Sequence, residues 1–118
     1  MPFKFEKLEI WKLAIDLADD VLNLTRGFPK EEMFSLTSQM KRAADSVSLN
    51  IAEGSTGQTN PEQVKFLGYS LRSALEVVNC LYLAVRRNYI SQQQFDKFYA
   101  DLEKLTIKIQ AFRKSIKI

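Results

Sequence analysis

The sequence contains no histidine and one cysteine among its 118 residues. Histidine is the most common general base and metal ligand in proteins, so its absence removes most hydrolytic and zinc-dependent mechanisms. The single thiol, Cys80, can form no disulfide within the chain and has no histidine to activate it. The sequence GSTG at 54–57 is not followed by the Lys-Ser/Thr of a phosphate loop. We therefore expect a protein that is not an enzyme and that binds no cofactor or metal.

Long apolar runs are also missing. No stretch approaches the ~18 consecutive apolar residues of a membrane span. The opening residues, MPFKFEKLEI, lack the apolar region of a secretory signal. Together with the single cysteine, these absences predict a cytoplasmic protein without a membrane partner.

Glycine and proline are few, with four and three copies, and they fall between apolar segments rather than inside them. This distribution predicts helices joined by short connections. The hydrophobic content of 46% and the charged content of 26% are typical of a globular chain. The length predicts a single domain over residues 1–118.

Apolar residues recur at helical spacing in four segments, at about 7–26, 35–54, 60–87 and 92–116. Ser35, an Asn60-Pro61 pair and a capping box of Ser91 with Gln94 are the predicted helix starts, and 54–60 is a predicted connection. The pattern predicts an all-α, up-down-up-down four-helix bundle. On the first and third helices the apolar arc is wider than one core face needs, which predicts a homo-oligomer.

A stripe of hydrogen-bonding side chains flanks the core face of the second helix. Its members are Gln39, Ser46, Asn50 and Glu53, and Glu76 occupies a comparable place on the third helix. We expect this stripe to hydrogen-bond to another helix or to a second subunit, with each carboxylate paired to an amide or an arginine. A divalent cation held by Glu53 and Glu76 is the alternative, which the lack of further ligands disfavours.

Basic residues form stripes on the last two helices. They are Lys65, Arg72 and Arg86 on the third helix and Lys97, Lys104 and Lys108 on the fourth. Such a stripe is usually a solvated face, but it can also follow a nucleic-acid backbone. The net charge is +3, and the first helix is acidic, so the two faces could also pair head to tail between subunits.

Several motifs give the chain a family resemblance. The densest part runs through Arg42-Ala43-Ala44 and Ser46-Val47 to Asn50-Ile51-Ala52-Glu53-Gly54. Further matching motifs are Phe5-Glu6-Lys7-Leu8, Ile10-Trp11-Lys12, Phe28-Pro29, Glu32, Leu36-Thr37, Gln39, Phe66-Leu67, Ser73 and Glu76. The chain resembles, over nearly its whole length, the bacterial 23S rRNA-intervening-sequence proteins. It departs from their pattern at Arg72-Ser73-Ala74, where the family usually has Gly-Ser-Leu.

The resemblance implies a four-helix bundle that forms a ring-like homo-oligomer and has no assigned enzymatic activity. A related family, the accessory proteins of diversity-generating retroelements, is described as pentameric barrels that bind nucleic acid and a reverse transcriptase. The expected function is therefore a non-enzymatic oligomeric bundle, with a pentamer as one possible form, that binds RNA through its basic helix faces. The alternative is a protein-interaction or scaffold bundle with no nucleic-acid role.

Overall fold

Four α-helices make up most of the computed structural model, which describes residues 3–57 and 59–118. They are α1 (Glu9–Thr25), α2 (Leu36–Gly54), α3 (Asn60–Arg86) and α4 (Gln92–Ser115), with short 3₁₀ turns at Lys4–Lys7 and Lys30–Glu32. The described residues contain no strand. Met1, Pro2 and Gln58 lie outside them, so the single domain over 1–118 and the full 54–60 connection stay predictions.

Neighbouring helices run antiparallel around the bundle in chain order, and α4 returns beside α1. Ser46 and Val47 of α2 contact Ser73 and Ser70 of α3. Lys97 and Lys108 of α4 lie opposite Asp20 and Glu9 of α1. The bundle measures 44 × 23 × 23 Å. The prediction of an all-α four-helix bundle is confirmed.

The most extensive helix contact joins α2 to α3. Small buried residues, Ala43, Ala44, Ser70 and Ala74, line this contact and let the two backbones approach closely. The buried Ser70 hydroxyl donates a hydrogen bond to the Val47 carbonyl at 2.9 Å, so the interhelical contact also leaves no unsatisfied hydroxyl. Larger side chains fill the rest of the core. The largest fully buried ones are Met40, Ile51, Leu67, Leu81, Leu102 and Ile109.

The helix starts agree with the sequence at α4 and differ at α3. Ser91 and Gln94 form the predicted capping box, with hydrogen bonds of 3.1 and 2.8 Å. At α3 the cap is Thr59 rather than Asn60, because the Thr59 hydroxyl accepts the Glu62 N–H at 3.2 Å. The Asn60 amide instead donates to the Lys117 carbonyl at 2.7 Å, which ties the end of α4 to the start of α3.

One carboxylate, that of Glu32, joins two connections at the same end of the bundle. It accepts hydrogen bonds from the Ser35 hydroxyl at 2.7 Å and from the Leu36 N–H at 3.3 Å, so Glu32 rather than Ser35 caps α2. It also accepts from the Tyr89 hydroxyl at 2.7 Å and from Arg87 at 3.2 Å. These bonds, led by that from Tyr89, lower the pKa of Glu32 from 4.5 to about 2.

We predict that Glu32→Gln lowers the melting temperature at neutral pH. The charge at Glu32 stabilises the fold fully above its unfolded pKa of 4.5, and this contribution is lost as the pH falls toward about 2. The difference in melting temperature between wild type and variant should therefore shrink over that range. Glu31→Gln, which removes a neighbouring exposed carboxylate, is the matched control. A difference that stays constant down to the lowest pH would contradict the prediction.

Candidate interaction surfaces

The basic stripe of α4 lies against the acidic face of α1. The Lys97 ammonium is 2.9 Å from Asp101 and 3.9 Å from Asp20, and Lys108 is 3.4 Å from Glu9. Lys104 lines a depression between the two helices together with Asp16, Asp20 and Asp101. The predicted cation track on α4 is thus countered within one chain, because α4 packs beside the helix that carries the acids.

The basic residues of α3 divide into two kinds. Lys65 pairs with Glu62 at 3.1 Å, and that hydrogen bond raises its pKa. Arg72 and Arg86 are exposed, and neither forms an ion pair or a side-chain hydrogen bond with the residues that the structure describes. Of the six cations in the predicted stripes, Arg72, Arg86 and Lys104 form no ion pair within the described residues, and of these three only Lys104 lines a depression with acids.

Part of the predicted polar stripe forms a seam between α2 and α3. The Ser73 hydroxyl donates to the Ser46 hydroxyl oxygen at 3.0 Å. The Asn50 amide donates to the same oxygen at 3.0 Å and to the Ser46 carbonyl at 2.9 Å. The expected contact with another helix is therefore present at Ser46 within one chain, and Asn50 orients the serine from one turn away.

The remaining members of the stripe, Gln39, Glu53 and Glu76, lie exposed and make no side-chain hydrogen bond within residues 3–57 and 59–118. Within the described residues neither Glu53 nor Glu76 has an amide or an arginine as a hydrogen-bond partner, so their expected pairing stays a prediction. Their contact with a second subunit stays a prediction. In the described chain, no three acidic or cysteine side chains cluster closely enough to hold a metal ion.

An apolar surface covers one side of the bundle where α3 and α4 meet. We call it the α3–α4 face, and it comprises Leu71, Leu75, Val78, Tyr82, Tyr99, Thr106, Ile107, Gln110 and Ala111. Leu75 and Ile107 are 61% and 64% exposed, and Tyr82 and Tyr99 are 51% and 39% exposed. The sequence pattern identified the excess apolar width of α3 but missed Ile107 and Tyr99, which lie outside the regularly spaced apolar residues of α4.

A groove runs along the α3–α4 face. Two adjoining depressions share Leu75 and Thr106, and the larger has a volume of about 610 Å³. Glu103 lines the groove toward one end, and Arg113 and Lys114 line it at the other. The side-chain oxygen of Gln110 is buried in the groove lining and accepts no hydrogen bond in the described chain. A buried acceptor without a donor costs about 1–3 kcal/mol, so this oxygen is a local weak point of the packing between α3 and α4.

On α1, residues that precede the helix cover part of the wide apolar arc. The chain before α1 folds back so that the Phe5 ring packs edge-on against Trp11, with ring centroids 5.0 Å apart. Phe3 stacks on Phe5 in turn, at 6.1 Å. The excess apolar width of α1 is therefore partly covered by the chain itself, unlike that of the α3–α4 face.

The fold and its surfaces define a four-helix bundle whose prominent surface features are an apolar groove and a pair of unpartnered arginines. A family model described as 23S rRNA-intervening sequence protein matches residues 6–111. The chain belongs to this family.

A solved structure supports the fold. It is a protein of unknown function from the S23 ribosomal protein family of Bacteroides thetaiotaomicron, with a TM-score of 0.82 and 23% identity over 89% of this chain and 95% of that one. At this identity the likeness establishes the fold alone. A comparison with curated proteins found no match. Over the described residues, no helix is long and apolar enough to cross a membrane.

The serine seam can be tested by substitution. We predict that Ser46→Ala destabilises the fold by about 1 kcal/mol, because it removes the acceptor of both the Ser73 hydroxyl and the Asn50 amide. Ser48→Ala is the matched control, since the Ser48 hydroxyl bonds only to the Asp45 carbonyl of its own helix. Urea unfolding of both variants measures the difference. Equal losses of stability would contradict an interhelical role for Ser46.

Proposed function

We propose that the protein is a non-enzymatic, self-assembling helical bundle that acts by binding, and that the α3–α4 face is its docking surface. The observation that carries this proposal is the clustering of Leu75, Tyr82, Tyr99 and Ile107, each more than a third exposed, on one side of the bundle. Single exposed apolar residues are ordinary, but a continuous apolar patch usually marks a contact with another protein.

The face extends along much of α4. From Tyr99 to Ala111 it covers about 18 Å, at 1.5 Å per residue. A standard interface has an apolar centre and a polar rim. Glu103 and Lys114 supply that rim with charges of both signs, while its centre is apolar.

We predict that Ile107→Glu reduces the protein to a monomer of 13.6 kDa under conditions in which the wild type is oligomeric. A carboxylate in the centre of an apolar contact must be desolvated without a partner, which strongly opposes association. Leu49→Glu is the matched control, because Leu49 is 66% exposed, close to the 64% of Ile107, and lies on α2 outside the face. Light scattering after size exclusion measures the masses.

Two results would count against the proposal. A wild-type protein that stays at 13.6 kDa at every concentration would show that the bundle does not self-assemble. A wild-type oligomer that Ile107→Glu leaves intact would show that another surface joins the subunits. Melting curves of both glutamate variants establish that any loss of mass comes from the interface rather than from unfolding.

RNA binding is the second candidate function, and the unpartnered cations of α3 favour it. Arg72 and Arg86 are exposed without an acidic partner in the described chain, and self-assembly would repeat this pair once per subunit. Arginine suits phosphate recognition because its planar guanidinium can donate two parallel hydrogen bonds. The family description refers to 23S rRNA, which makes structured RNA the appropriate probe. The lysines of α4 support RNA binding less, because acids of α1 lie beside them.

We predict that Arg72→Gln with Arg86→Gln weakens binding to a fragment of 23S rRNA and makes that binding less dependent on salt. Each lost phosphate contact should reduce the slope of log affinity against log salt by about one unit. Lys97→Gln with Lys108→Gln is the matched control, since it removes the same charge from partnered sites. No RNA binding by the wild type at low salt would exclude this function, and equal effects of the two pairs would exclude these arginines as the site.

A further inference from the structure

The turn before α2 presents a large apolar side chain to solvent. Phe34 is 92% exposed, more than any other large hydrophobic residue in the described chain, and the adjacent Met33 is 50% exposed. We call Met33 and Phe34 the apolar tip. Leaving a phenylalanine in water forgoes about 1.5–3 kcal/mol that burial would provide, so an aromatic tip is an unusual end to a well-ordered turn.

The tip is held in position rather than left loose. Glu32, the residue before it, accepts hydrogen bonds from Ser35, Leu36, Tyr89 and Arg87. The Met33 N–H donates to the Lys30 carbonyl at 3.0 Å and the Ser35 N–H to the Glu32 carbonyl at 3.0 Å. A backbone fixed in this way loses little conformational entropy when the tip binds, which favours docking.

The tip cannot fill the groove of its own chain. The Glu32–Arg87 contact of 3.2 Å fixes the turn beside the end of α3. Leu75, at the centre of the α3–α4 face, lies twelve residues earlier, which is about 18 Å along the helix axis. A donor and a receiver that are separated on one rigid body can meet only between two copies.

We propose that the apolar tip of one subunit docks into the α3–α4 groove of a second copy of this chain. This inference rests on the proposed function and names the occupant of its docking surface. The ring of Phe34 would lie between Leu75 and Ile107, with Met33 beside it. The contact is heterologous, because it joins two different surfaces, and repeated contacts of this kind build a closed ring or an open filament.

The charges around the two surfaces are complementary. Lys30 and Glu31 are exposed immediately before the tip, one of each sign. The groove carries Glu103 toward one end and Lys114 at the other. A docked tip can therefore pair Lys30 with Glu103 at one end of the groove or Glu31 with Lys114 at the other, and either pair favours one direction along the groove.

A mixing experiment tests the proposal. Phe34→Ser removes the tip and keeps the groove, and Ile107→Glu blocks the groove and keeps the tip. Each variant alone should be a monomer of 13.6 kDa at concentrations where the wild type assembles. Fully burying a phenylalanine corresponds to roughly a ten- to hundredfold change in the dissociation constant. The masses are therefore measured at protein concentrations a few-fold above the wild-type dissociation constant.

An equal mixture of the two variants should form a species of twice the chain mass and nothing larger. In that species the intact tip of the Ile107→Glu chain occupies the intact groove of the Phe34→Ser chain, and no working tip or groove is left to add a third. Leu49→Ser, which truncates another exposed apolar side chain, is the control and should assemble like the wild type. Melting curves verify that each variant is folded.

Three outcomes would overturn the inference. If Phe34→Ser assembles like the wild type while Ile107→Glu is monomeric, the face meets the same face of a second copy, and only the docked tip is excluded. If both variants are monomeric and their mixture forms no dimer, the tip and the groove do not meet. If the wild type itself is monomeric at every concentration, the proposed self-assembly fails and the inference fails with it.

Discussion

Helix α3 carries apolar side chains around more of its circumference than its neighbours cover. One arc, which includes Leu67, Val77 and Leu81, is buried in the core. Another, with Leu75 and Tyr82, faces outward beside Tyr99 and Ile107 of α4. A helix in a four-helix bundle buries only part of its surface inside the bundle, and we propose that a partner from outside the chain covers the second arc. The proposed self-assembly follows from this excess.

The two ends of the proposed contact are prepared by different means. The groove is built by helix packing, with small side chains at Thr106 and Ala111 that leave space between longer neighbours. The apolar tip is positioned by hydrogen bonds, since the Glu32 carboxylate accepts several donors and so orders the turn that carries Phe34. The same carboxylate links the turn before α2 to the connection before α4. A change at Glu32 should therefore affect the stability of the bundle and the position of the tip together.

The four helices and the side of each that is buried could be predicted from the sequence, because apolar spacing and capping residues act locally. The buried residues of α4 recur at the steps of three and four from which the sequence predicted this helix; they are Phe95, Phe98, Leu102, Leu105 and Ile109. Long-range partners could not be predicted, because spacing along one helix does not say which helix lies opposite. Lys97 and Lys108 therefore looked like a free cation track, and the turn at Pro29–Phe34 gave no sign that Glu32 would gather four donors.

The central claim is that the α3–α4 face is covered by another copy of this chain. Sedimentation of the wild-type protein over a wide concentration range tests it most directly. The account predicts a mass that rises with concentration to a defined multiple of 13.6 kDa or that stays at such a multiple throughout. A single species of 13.6 kDa at every concentration would contradict it.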